Sequence, residues 1–573
     1  MKKQNASFKK LVLAGCLGLV VSTSAFREDL FLYSKNIDIF ASLYKELNIN
    51  YVDEVNPSNL MKTGVDAMLD SLDPYTEYVQ ESDIEDYRMK YVSTQYGGIG
   101  TSVQNRNGKF IIADTFEGFP AQKADIRAGD ELIEINGIVL KGKSYEQVSA
   151  MLKGPKNTPV KIRLNRSGEA NPLEKSITRE EITQANVSYS GMLNNNIGYI
   201  KLDKFLENSS SEVKEALISL QKNNPEGLVL DLRSNGGGIL QEAVKIVNLF
   251  VEPNVTVVTQ KGRNREKTIS YKTFDGPIAA RLPLVVLVNA RSASAAEIVA
   301  GSLQDMDRAV IVGQRSFGKG LVQQTFNLPY SSLVKVTVAK YYTPSGRCIQ
   351  SLDYTHRTAD GNVEKVADSL ITEYKTKAGR SVFDGSGIYP DVFVSQAKYS
   401  QITQTLLSRN YVFDFATQYR KQKGNLAGSI KNFRLSDAEY NNFVSYLSDK
   451  DYNYSTKTEK ILNDLKAEAD KENKLAEVKI ELDALKSKIS HSKKNDLAEY
   501  KDEIRRVLET EIAGRYSFQK GRIEHSFQYD EELKAASHVL LNKNTLASIL
   551  QGSGSYKSIG KPGHTVTANL GNK

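Results

Sequence analysis

Cysteine and tryptophan are the residue types of which this sequence has least: its 573 residues include two cysteines, Cys16 and Cys348, and no tryptophan. A framework of disulfide bonds is excluded, because one of the two cysteines lies in the N-terminal segment. No group of cysteine and histidine residues has the spacing of metal ligands, so we expect no metal site.

A large excess of charge of one sign is also missing. Lysine and arginine together number 76 against 68 aspartate and glutamate residues, which gives a formal net charge of +8. The two signs are interspersed, and no arginine-rich arm or alternation of basic and aromatic residues stands out. This composition argues against nucleic acid as a partner.

A short apolar run lies close to the N-terminus. The basic stretch MKKQNASFKK is followed by LVLAGCLGLVV and then by small residues up to Ala25. This order predicts a signal peptide at residues 1–25, cleaved after Ala25, and the apolar run is too short to span a bilayer. The same run contains LAGC, which resembles a lipobox and leaves a lipid-anchored Cys16 as the alternative. Both interpretations predict export to the periplasm.

Changes of sequence pattern divide the rest of the chain into five segments. Residues 26–90 have helical periodicity, and residues 91–170 form short strands separated by turn residues. Residues 171–395 alternate apolar strands with helices, which predicts an α/β fold. Residues 396–550 are helical and highly charged, and the glycine- and serine-rich residues 551–573 predict a disordered tail.

The charged helical segment contains a short apolar seam. Its members are spaced three and four residues apart over two heptads: Leu475, Val478, Leu482, Leu485 and Ile489. Two heptads are fewer than a coiled coil requires, so a helical hairpin is the preferred interpretation. The helical regions are nevertheless the candidate surfaces for a homo-oligomer.

The α/β segment predicts a sheet that is covered on both faces. Its candidate strands are NIGYIKL, GLVLDL, VTVVTQ, PLVVLVN, AVIVGQ and LVKVTVAKYYTP, with helical patterns between them. Continuous apolar strands that alternate with helices are typical of such a sheet, and ligands usually bind where the carboxyl ends of its strands meet.

A serine follows one of these strands at the start of a helical pattern. In LPLVVLVNARSASAAEIVAG, residues 282–301, the strand ends in a turn of small residues and Ser294 precedes the helix. This is the geometry of a nucleophile, although a serine here is also a common helix cap. None of the five histidines lies between residues 282 and 342, so the usual base is missing from this region.

Lys319 is the candidate base. It lies in GQRSFGKGLVQQ, which follows the next candidate strand, and its neighbours include Phe317 and Leu321. A lysine accepts a proton only when it is neutral, and burial among apolar side chains favours the neutral form. Gln323, four residues further on, is placed to hold the amine by a hydrogen bond.

Two backbone N–H groups are candidate donors to a tetrahedral oxyanion. Gly238 ends the loop LDLRSNGGG, and Ala295 begins the helical pattern after Ser294. N–H groups at a glycine-rich turn and at a helix start stabilise an anion of this kind. The glycines lack the spacing of a P-loop, so they do not predict a nucleotide site.

Residues 91–170 resemble a PDZ domain. The resemblance rests on YGGIG at residues 96–100, on FPAQKADIRAGDELIEING at residues 119–137 and on LKGPKNTPVKI at residues 152–162. A peptide bound by such a domain adds as a strand, and loop N–H groups receive its carboxylate. The resemblance implies that these groups belong to Gly97, Gly98, Ile99 and Gly100.

Together the motifs are similar to those of the carboxyl-terminal processing, or tail-specific, proteases, and the long helical C-terminus resembles that of exported Bacteroidetes-type members. The similarity rests on DLRSNGGG, RSASAAEI, RSFGKGLVQ, VAKYYTPSGRCIQ and GIYPDV, and on the separation of Ser294 from Lys319. It implies a ClpP/crotonase-like α/β protease core with an inserted PDZ domain and helical N- and C-terminal regions.

The same resemblance implies an endopeptidase with a Ser–Lys dyad and no cofactor. Ser294 rather than Ser292 is then the nucleophile, Lys319 the general base and Gln323 its positioner, with oxyanion donors at Gly238 and Ala295. The implied substrates are proteins and peptides with accessible C-termini. Lys153 stands in LKG, where the family usually has LRG. The resemblance implies that this position senses the substrate tail, with weaker geometry because lysine lacks the guanidinium fork.

Two other interpretations stay open at this point. One is a PDZ scaffold with an inactive protease-like core, against which the presence of both Ser294 and Lys319 argues. The other is a Ser–His–Asp hydrolase that uses His356, although the sequence has no G-x-S-x-G motif.

Overall fold

The computed structural model describes residues 30–553, apart from residues 94, 264–267, 359, 425, 427 and 490–492. The predicted signal peptide, with Cys16 and Ala25, and nearly all of the predicted tail lie outside this part. In the described residues, no helix combines the length and the apolar character that a membrane crossing requires.

The chain divides into two compact units. The first comprises Met1–Glu81 and Gln323–Thr337, and the second comprises Ser82–Val322 and Val338–Lys573. The six candidate strands of the α/β segment are all strands in the structure, but they do not share one sheet.

The first unit contains helices and a small antiparallel sheet. Helix α1 covers residues 30–50, and α2 covers Pro57–Asp70, where the Asn56 side chain accepts the Asn59 N–H and caps the helix. Strand β1, Glu77–Val79, pairs with residues 333–335. Exposed apolar side chains are spread along α1, among them Leu30, Phe31, Ile37, Phe40 and Leu43.

An antiparallel sheet with two helices forms the PDZ-like part of the second unit. Strand β7, Pro159–Asn165, alternates buried and exposed residues, which is the pattern of a strand with one face on a core. Helix α5 begins at a capping box between Ser144 and Gln147. The sheet order is β3-β4-β5-β7-β8, with β6 beside β5. These elements are β3 Thr101–Arg106, β4 Lys109–Thr115, α4 Pro120–Lys123, β5 Glu131–Ile135, β6 Ile138–Val139, α5 Tyr145–Leu152, β7 Pro159–Asn165 and β8 Leu173–Thr178.

Two strands join this sheet to the protease core. Strand β2, Gln95–Gly98, pairs antiparallel with β9, Glu180–Thr183. Helix α3, Ile84–Tyr91, precedes β2 in the chain.

The core sheet has six strands in the order β10-β11-β12-β15-β16-β23, and all neighbouring pairs except β10–β11 are parallel. Strands β12, β15 and β16 are buried throughout, as their continuous apolar sequences predict. The strands are β10 Val187–Met192, β11 Ile197–Leu202, β12 Gly227–Asp231, β15 Leu284–Val288, β16 Val310–Gly313 and β23 Val392–Phe393.

Helices cover both faces of this sheet. One face packs against α6 Ser209–Gln221, α7 Leu240–Asn248 and α8 Ala295–Asp305. The other face packs against residues of α16 Glu531–Leu541 and α17 Lys543–Gln551, near the end of the described chain. The C-terminal helices therefore complete the core of the α/β fold.

Two of the candidate strands lie outside the core sheet. Strand β13, Thr256–Gly262, pairs antiparallel with β14, Ile269–Lys272, and with residues 339–342 of β18, Leu333–Tyr342. Both β13 and β18 have partly exposed positions, unlike the fully buried strands of the parallel sheet. Strand β17, Leu321–Asn327, pairs with β18. Short hairpins follow at β19 Leu352–Arg357, β20 Val363–Lys365, β21 Glu373–Lys375 and β22 Ser381–Phe383.

The charged segment is helical, and several of its helices share a third core. Helix α13, which contains the predicted seam, packs against α12, and the seam residue Leu482 is buried. The helices are α9 Gln401–Ser408, α10 Tyr411–Lys423, α11 Asp437–Tyr446, α12 Lys457–Lys471, α13 Leu475–Ile489, α14 Lys493–Glu499 and α15 Lys501–Ser526.

Candidate active site

Three loops leave the carboxyl ends of neighbouring parallel strands and meet at one edge of the core sheet. Strand β12 ends at Asp231, β15 at Val288 and β16 at Gly313. The loops that follow carry, in turn, the glycines up to Gly238, the serine Ser294 and the lysine Lys319. The order of parallel strands therefore brings the three motifs to the edge where α/β proteins bind ligands.

Ser294 has a backbone conformation that residues other than glycine rarely adopt. It is the residue before α8, with φ 56° and ψ −115°. Such strain is held in place only by the surrounding structure, and it is common at functional sites. Ser292, in contrast, is fully buried, and its hydroxyl donates to the Leu232 carbonyl at 2.7 Å while it accepts the Asn289 N–H at 3.0 Å. Ser292 is a structural residue of the turn.

Glu297 holds the backbone of Ser294 and of Lys319 with one carboxylate. Its Oε2 accepts the N–H of Ser294 at 2.8 Å and the N–H of Lys319 at 2.9 Å. Its Oε1 accepts the Gly318 N–H at 2.7 Å and the Ser316 hydroxyl at 2.5 Å. Two nitrogens within 2.9 Å of one oxygen cannot be further apart than twice that distance, so the two backbones are close neighbours.

The Glu297 carboxyl is fully buried, and this burial raises its pKa to about 7. The four hydrogen bonds that it accepts act in the opposite direction, because each stabilises the ionised form. The group therefore titrates near neutral pH, where a surface glutamate is always ionised.

Tyr341 joins the same two residues from a third element. Its hydroxyl lies 3.2 Å from the Ser294 carbonyl oxygen and donates to the Lys319 carbonyl at 2.6 Å. The ring is buried near the end of β18. Ser294 and Lys319 thus share two partners, one at their N–H groups and one at their carbonyl groups.

Gln323 belongs to the first unit, whereas Ser294 and Lys319 belong to the second. Its Nε2 donates to the Thr337 hydroxyl oxygen at 3.1 Å, across the β17–β18 hairpin. The predicted role of Gln323 as positioner of the lysine stays a prediction.

The N–H groups of the two candidate oxyanion donors take no part in the regular hydrogen bonding of the elements around them. Ala295 is the first residue of α8, so its N–H has no acceptor within that helix. The parallel bridge between Phe205 and Gly238 uses the Gly237 carbonyl and the Ile239 N–H, which leaves the Gly238 N–H unused. A Cβ on Gly237 would lie 2.7 Å from the Ser294 Cβ, so only glycine permits this approach of the loop to the serine.

The PDZ-like part has a groove between β3 and α5, as in a peptide-binding domain. Lys153, the residue after α5, lines this groove, and its ammonium pairs with the Asp86 carboxylate of α3 at 2.9 Å. The groove is lined by Tyr96, Ile99, Gly100, Thr101, Val103, Tyr145, Ser149, Leu152 and Lys153. Of the loop residues singled out from the sequence, Ile99 and Gly100 belong to this lining, whereas Gly97 and Gly98 lie on β2.

Gly97 and Gly100 are also required by the packing of the domain. Gly100 has φ +78°, and a Cβ there would lie 2.5 Å from the Phe119 Cβ. A Cβ on Gly97 would lie 2.0 Å from the Gly154 carbonyl oxygen. Substitution at either position alters the fold of the domain, so it does not test peptide binding cleanly.

His356 offers no support for a Ser–His–Asp site. It lies on β19 with a side chain that is 83% exposed, and its Nδ1 pairs with Asp353 at 2.8 Å. The described residues contain no group of three histidine, cysteine, aspartate or glutamate side chains that could hold a metal ion.

Glu297 and Tyr341 were missed from the sequence for different reasons. Glu297 follows Ser294 by three residues, which is the capping-box spacing S-x-x-E and a local signal that was available. Tyr341 lies 47 residues from Ser294, and only the pairing of β18 with β13 places it.

Three family models match this chain. Peptidase family S41 matches residues 196–358, and a PDZ domain matches residues 116–166. A model described as the C-terminal helical domain of a probable PDZ-protease matches residues 402–540.

Curated relatives match over most of their length. Carboxy-terminal processing protease CtpA of Bacillus subtilis (strain 168) is 30% identical over 426 residues, which covers 70% of this chain and 88% of the relative. The carboxy-terminal-processing protease of Bartonella bacilliformis is 33% identical over 355 residues, covering 61% and 80%. Among solved structures, the photosystem II D1 C-terminal processing protease is 27% identical with a TM-score of 0.33, and covers 62% of this chain and 92% of that one.

Proposed function

Because the chain belongs to peptidase family S41 and is a carboxy-terminal processing serine protease with a PDZ domain, we propose that Ser294 and Lys319 form its catalytic dyad. The observation that carries the proposal is that Glu297 accepts the N–H of both residues and that the Tyr341 hydroxyl lies within 3.2 Å of the carbonyl oxygen of both. Shared fixed partners hold a nucleophile and its base in one relative geometry, which is what proton transfer between them requires.

In the proposed reaction, the neutral amine of Lys319 takes the proton of the Ser294 hydroxyl as its oxygen attacks the peptide carbonyl. The resulting oxyanion receives hydrogen bonds from the N–H groups of Gly238 and Ala295. Collapse of the tetrahedral intermediate breaks the C–N bond, and the leaving amine takes the proton from Lys319. Water, activated by Lys319 in its turn, then hydrolyses the acyl-enzyme.

Substitutions of the dyad test this mechanism. Ser294→Ala and Lys319→Ala should each abolish hydrolysis of an unstructured protein such as casein, and their melting temperatures should stay near that of the wild type. Lys319→Arg should be equally inactive, because arginine stays protonated and cannot accept a proton.

The same assay decides between the dyad and the other interpretations. His356→Ala should keep full activity, since a dyad needs no imidazole, and its loss of activity would favour a Ser–His–Asp site. An inactive wild type would favour a PDZ scaffold without catalysis. Full activity of Lys319→Arg would rule out Lys319 as the base.

We also propose that the PDZ-like groove binds the C-terminal residues of substrates and delivers them to the dyad. The support is the groove between β3 and α5, with the Lys153 ammonium at its margin. Cleavage rates of two otherwise identical peptides, one with a free C-terminal carboxylate and one amidated, test this role. The amidated peptide should be cleaved more slowly, and equal rates would argue against recognition of the tail.

We also propose that the protein is exported to the periplasm and that it self-associates through its helical regions. Sequencing of the mature N-terminus and intact mass distinguish cleavage after Ala25 from a lipid-modified Cys16. Association of copies through the helical regions is supported by the exposed apolar side chains of α1, including Leu30 and Phe31, and light scattering measures it.

A further inference from the structure

The Arg233 guanidinium is held by three carboxylates, two of which come from the far end of the chain. Its Nε and Nη2 donate to Asp231, with Nη2 at 2.6 Å. Its Nη1 donates to Asp530 at 2.9 Å and to Glu532 at 2.8 Å, and Nη2 also donates to Asp530 at 2.7 Å. Asp530 is the residue before α16, and Glu532 lies in its first turn.

Arg233 begins the loop that carries the candidate oxyanion glycine. Two residues later, the fully buried Asn235 accepts the Gly237 N–H at 2.8 Å with its side chain, and its carbonyl accepts the Ala293 N–H at 2.9 Å. The loop is therefore bonded to the residue before Ser294. A short path of bonded residues therefore leads from Arg233 to Gly238.

The second carboxylate oxygen of Glu532 contacts the loop that contains Lys319, the proposed base. Its Oε1 accepts the Gln314 Nε2 at 2.9 Å, while its Oε2 is the acceptor of Arg233. Gln314 directly follows β16, and its N–H donates to the Val288 carbonyl at 3.0 Å. Two residues further on, Ser316 donates to Glu297. One carboxylate of α16 thus bonds to the beginnings of two active-site loops.

We propose that Glu532, with Asp530, is a positioning residue of the peptidase reaction, and that the start of α16 fixes the oxyanion loop relative to the dyad. The proposal rests on the proposed function of Ser294 and Lys319. Neither acidic residue touches the reacting atoms; each acts through Arg233, and Glu532 also acts through Gln314.

The arrangement permits conservative substitutions. Glu532→Gln removes the charge and leaves Arg233 paired with Asp231 and Asp530. Asp530→Asn keeps the cap of α16, because an asparagine oxygen can still accept the Leu533 N–H, which lies 2.9 Å from Asp530. The matched control is Glu531→Gln, whose carboxylate is on the same turn but pairs with Lys534 at 2.7 Å.

The test measures kcat and KM for a peptide substrate, the inhibition constant of a peptide boronate and the melting temperature of each full-length variant. A boronate forms a tetrahedral adduct with the serine, so its affinity follows the quality of the oxyanion site. Because a misplacement of about 1 Å costs on the order of a hundredfold in rate, we expect Glu532→Gln and the double variant with Asp530→Asn to lose about tenfold to a hundredfold in kcat. Boronate affinity should fall in parallel, while KM changes less than about twofold, as expected when only interactions made in the transition state are lost.

Each outcome has a defined meaning. Unchanged kcat and boronate affinity in an active enzyme would overturn the inference, and so would losses in proportion to a reduced folded fraction. A loss of the same size in Glu531→Gln would also overturn it. Failure of the wild type to react with a fluorophosphonate at Ser294 would instead contradict the proposed function.

Discussion

Glu297 lies in the first turn of α8, and its carboxylate accepts four hydrogen bonds, one from Ser294 and three from the loop that contains Lys319. All four partners are donors, so the ionised form satisfies them best. A proton on either oxygen would compete with one of these donors. At the scale of single residues, we therefore expect the geometry of the proposed dyad to depend on the ionisation of a group that neither attacks the substrate nor carries the transferred proton.

Glu297→Gln should lower kcat about tenfold or more at every pH. The four donors are shared between two carboxylate oxygens, whereas an amide has only one acceptor oxygen. Each buried donor left without a partner costs about 1–3 kcal/mol. In the wild type, burial raises the pKa of Glu297 to about 7, so activity should decline as the pH falls through about 7. The measurement is a profile of kcat against pH for both proteins. An acid limb that persists unchanged in Glu297→Gln would assign the limb to another group.

The same raised pKa has a consequence for stability. The folded state binds a proton that the unfolded chain loses near the ordinary pKa of 4.5. The contribution of this carboxyl to the free energy of unfolding is therefore full below about pH 4.5 and declines as the pH rises to about 7. Denaturation in urea at pH 5 and pH 8 should show a smaller change for Glu297→Gln than for the wild type.

At the scale of secondary-structure elements, the ends of helices and strands bring Ser294, Glu297 and Lys319 together. Capping of α8 places Glu297 beside Ser294, and the end of β16 places Lys319, so the sequence motifs could be assigned to the correct edge of the sheet. That β12, β15 and β16 are buried strands of a sheet covered on both faces followed from their continuous apolar sequences, whereas their order in the sheet did not. The position of β13 and β18 in a different sheet did not, because both read as apolar strands and their pairing depends on residues far apart in the chain.

The contact between α3 and the end of α5 should limit binding to the PDZ-like groove. Asp86 neutralises the Lys153 ammonium that a substrate carboxylate would approach, and the Asp86 side chain is 74% exposed. Exposed ion pairs contribute about 0.2–1 kcal/mol, so Asp86→Asn should tighten binding of a carboxylate-terminated peptide by no more than about fivefold. Fluorescence anisotropy with a labelled peptide measures this change.

Two further variants delimit that effect. Lys153→Met should weaken binding of the carboxylate peptide and leave an amidated peptide unaffected. Glu85→Gln, on the same helix as Asp86, is the control. Tighter binding of the amidated peptide to Asp86→Asn would mean that the ion pair acts on the shape of the groove and not on the carboxylate.

On the scale of the whole molecule, the C-terminal helices belong to the protease core. The apolar residues of the core sheet on one face pack against Leu533, Ala536, Val539 and Leu540 of α16 and against Ile549 of α17. The sequence pattern predicted this region to be helical. It could not show that two of its helices form half of the cover of the sheet, because that packing joins residues more than 200 positions apart.

Truncation before α16 should therefore prevent folding of the protease core. Removal of residues 531–573 exposes buried strand residues such as Val229, Val285 and Val310, and each fully buried side chain of this size contributes about 1.5–3 kcal/mol. We expect little soluble protein and no cooperative thermal transition by circular dichroism. A control chain that ends at residue 553 keeps every described helix and should melt like the wild type. A soluble, cooperatively folded chain without α16 and α17 would contradict this role.

The packing of α16 on the core sheet also has a consequence for the chain during its synthesis. A growing chain exposes Ser294 and Lys319 long before Glu532 has been added. Until the last helices dock, the core sheet has one bare face and Arg233 has one carboxylate instead of three. We therefore expect a nascent chain to gain peptidase activity only after α16 and α17 have packed on the core sheet.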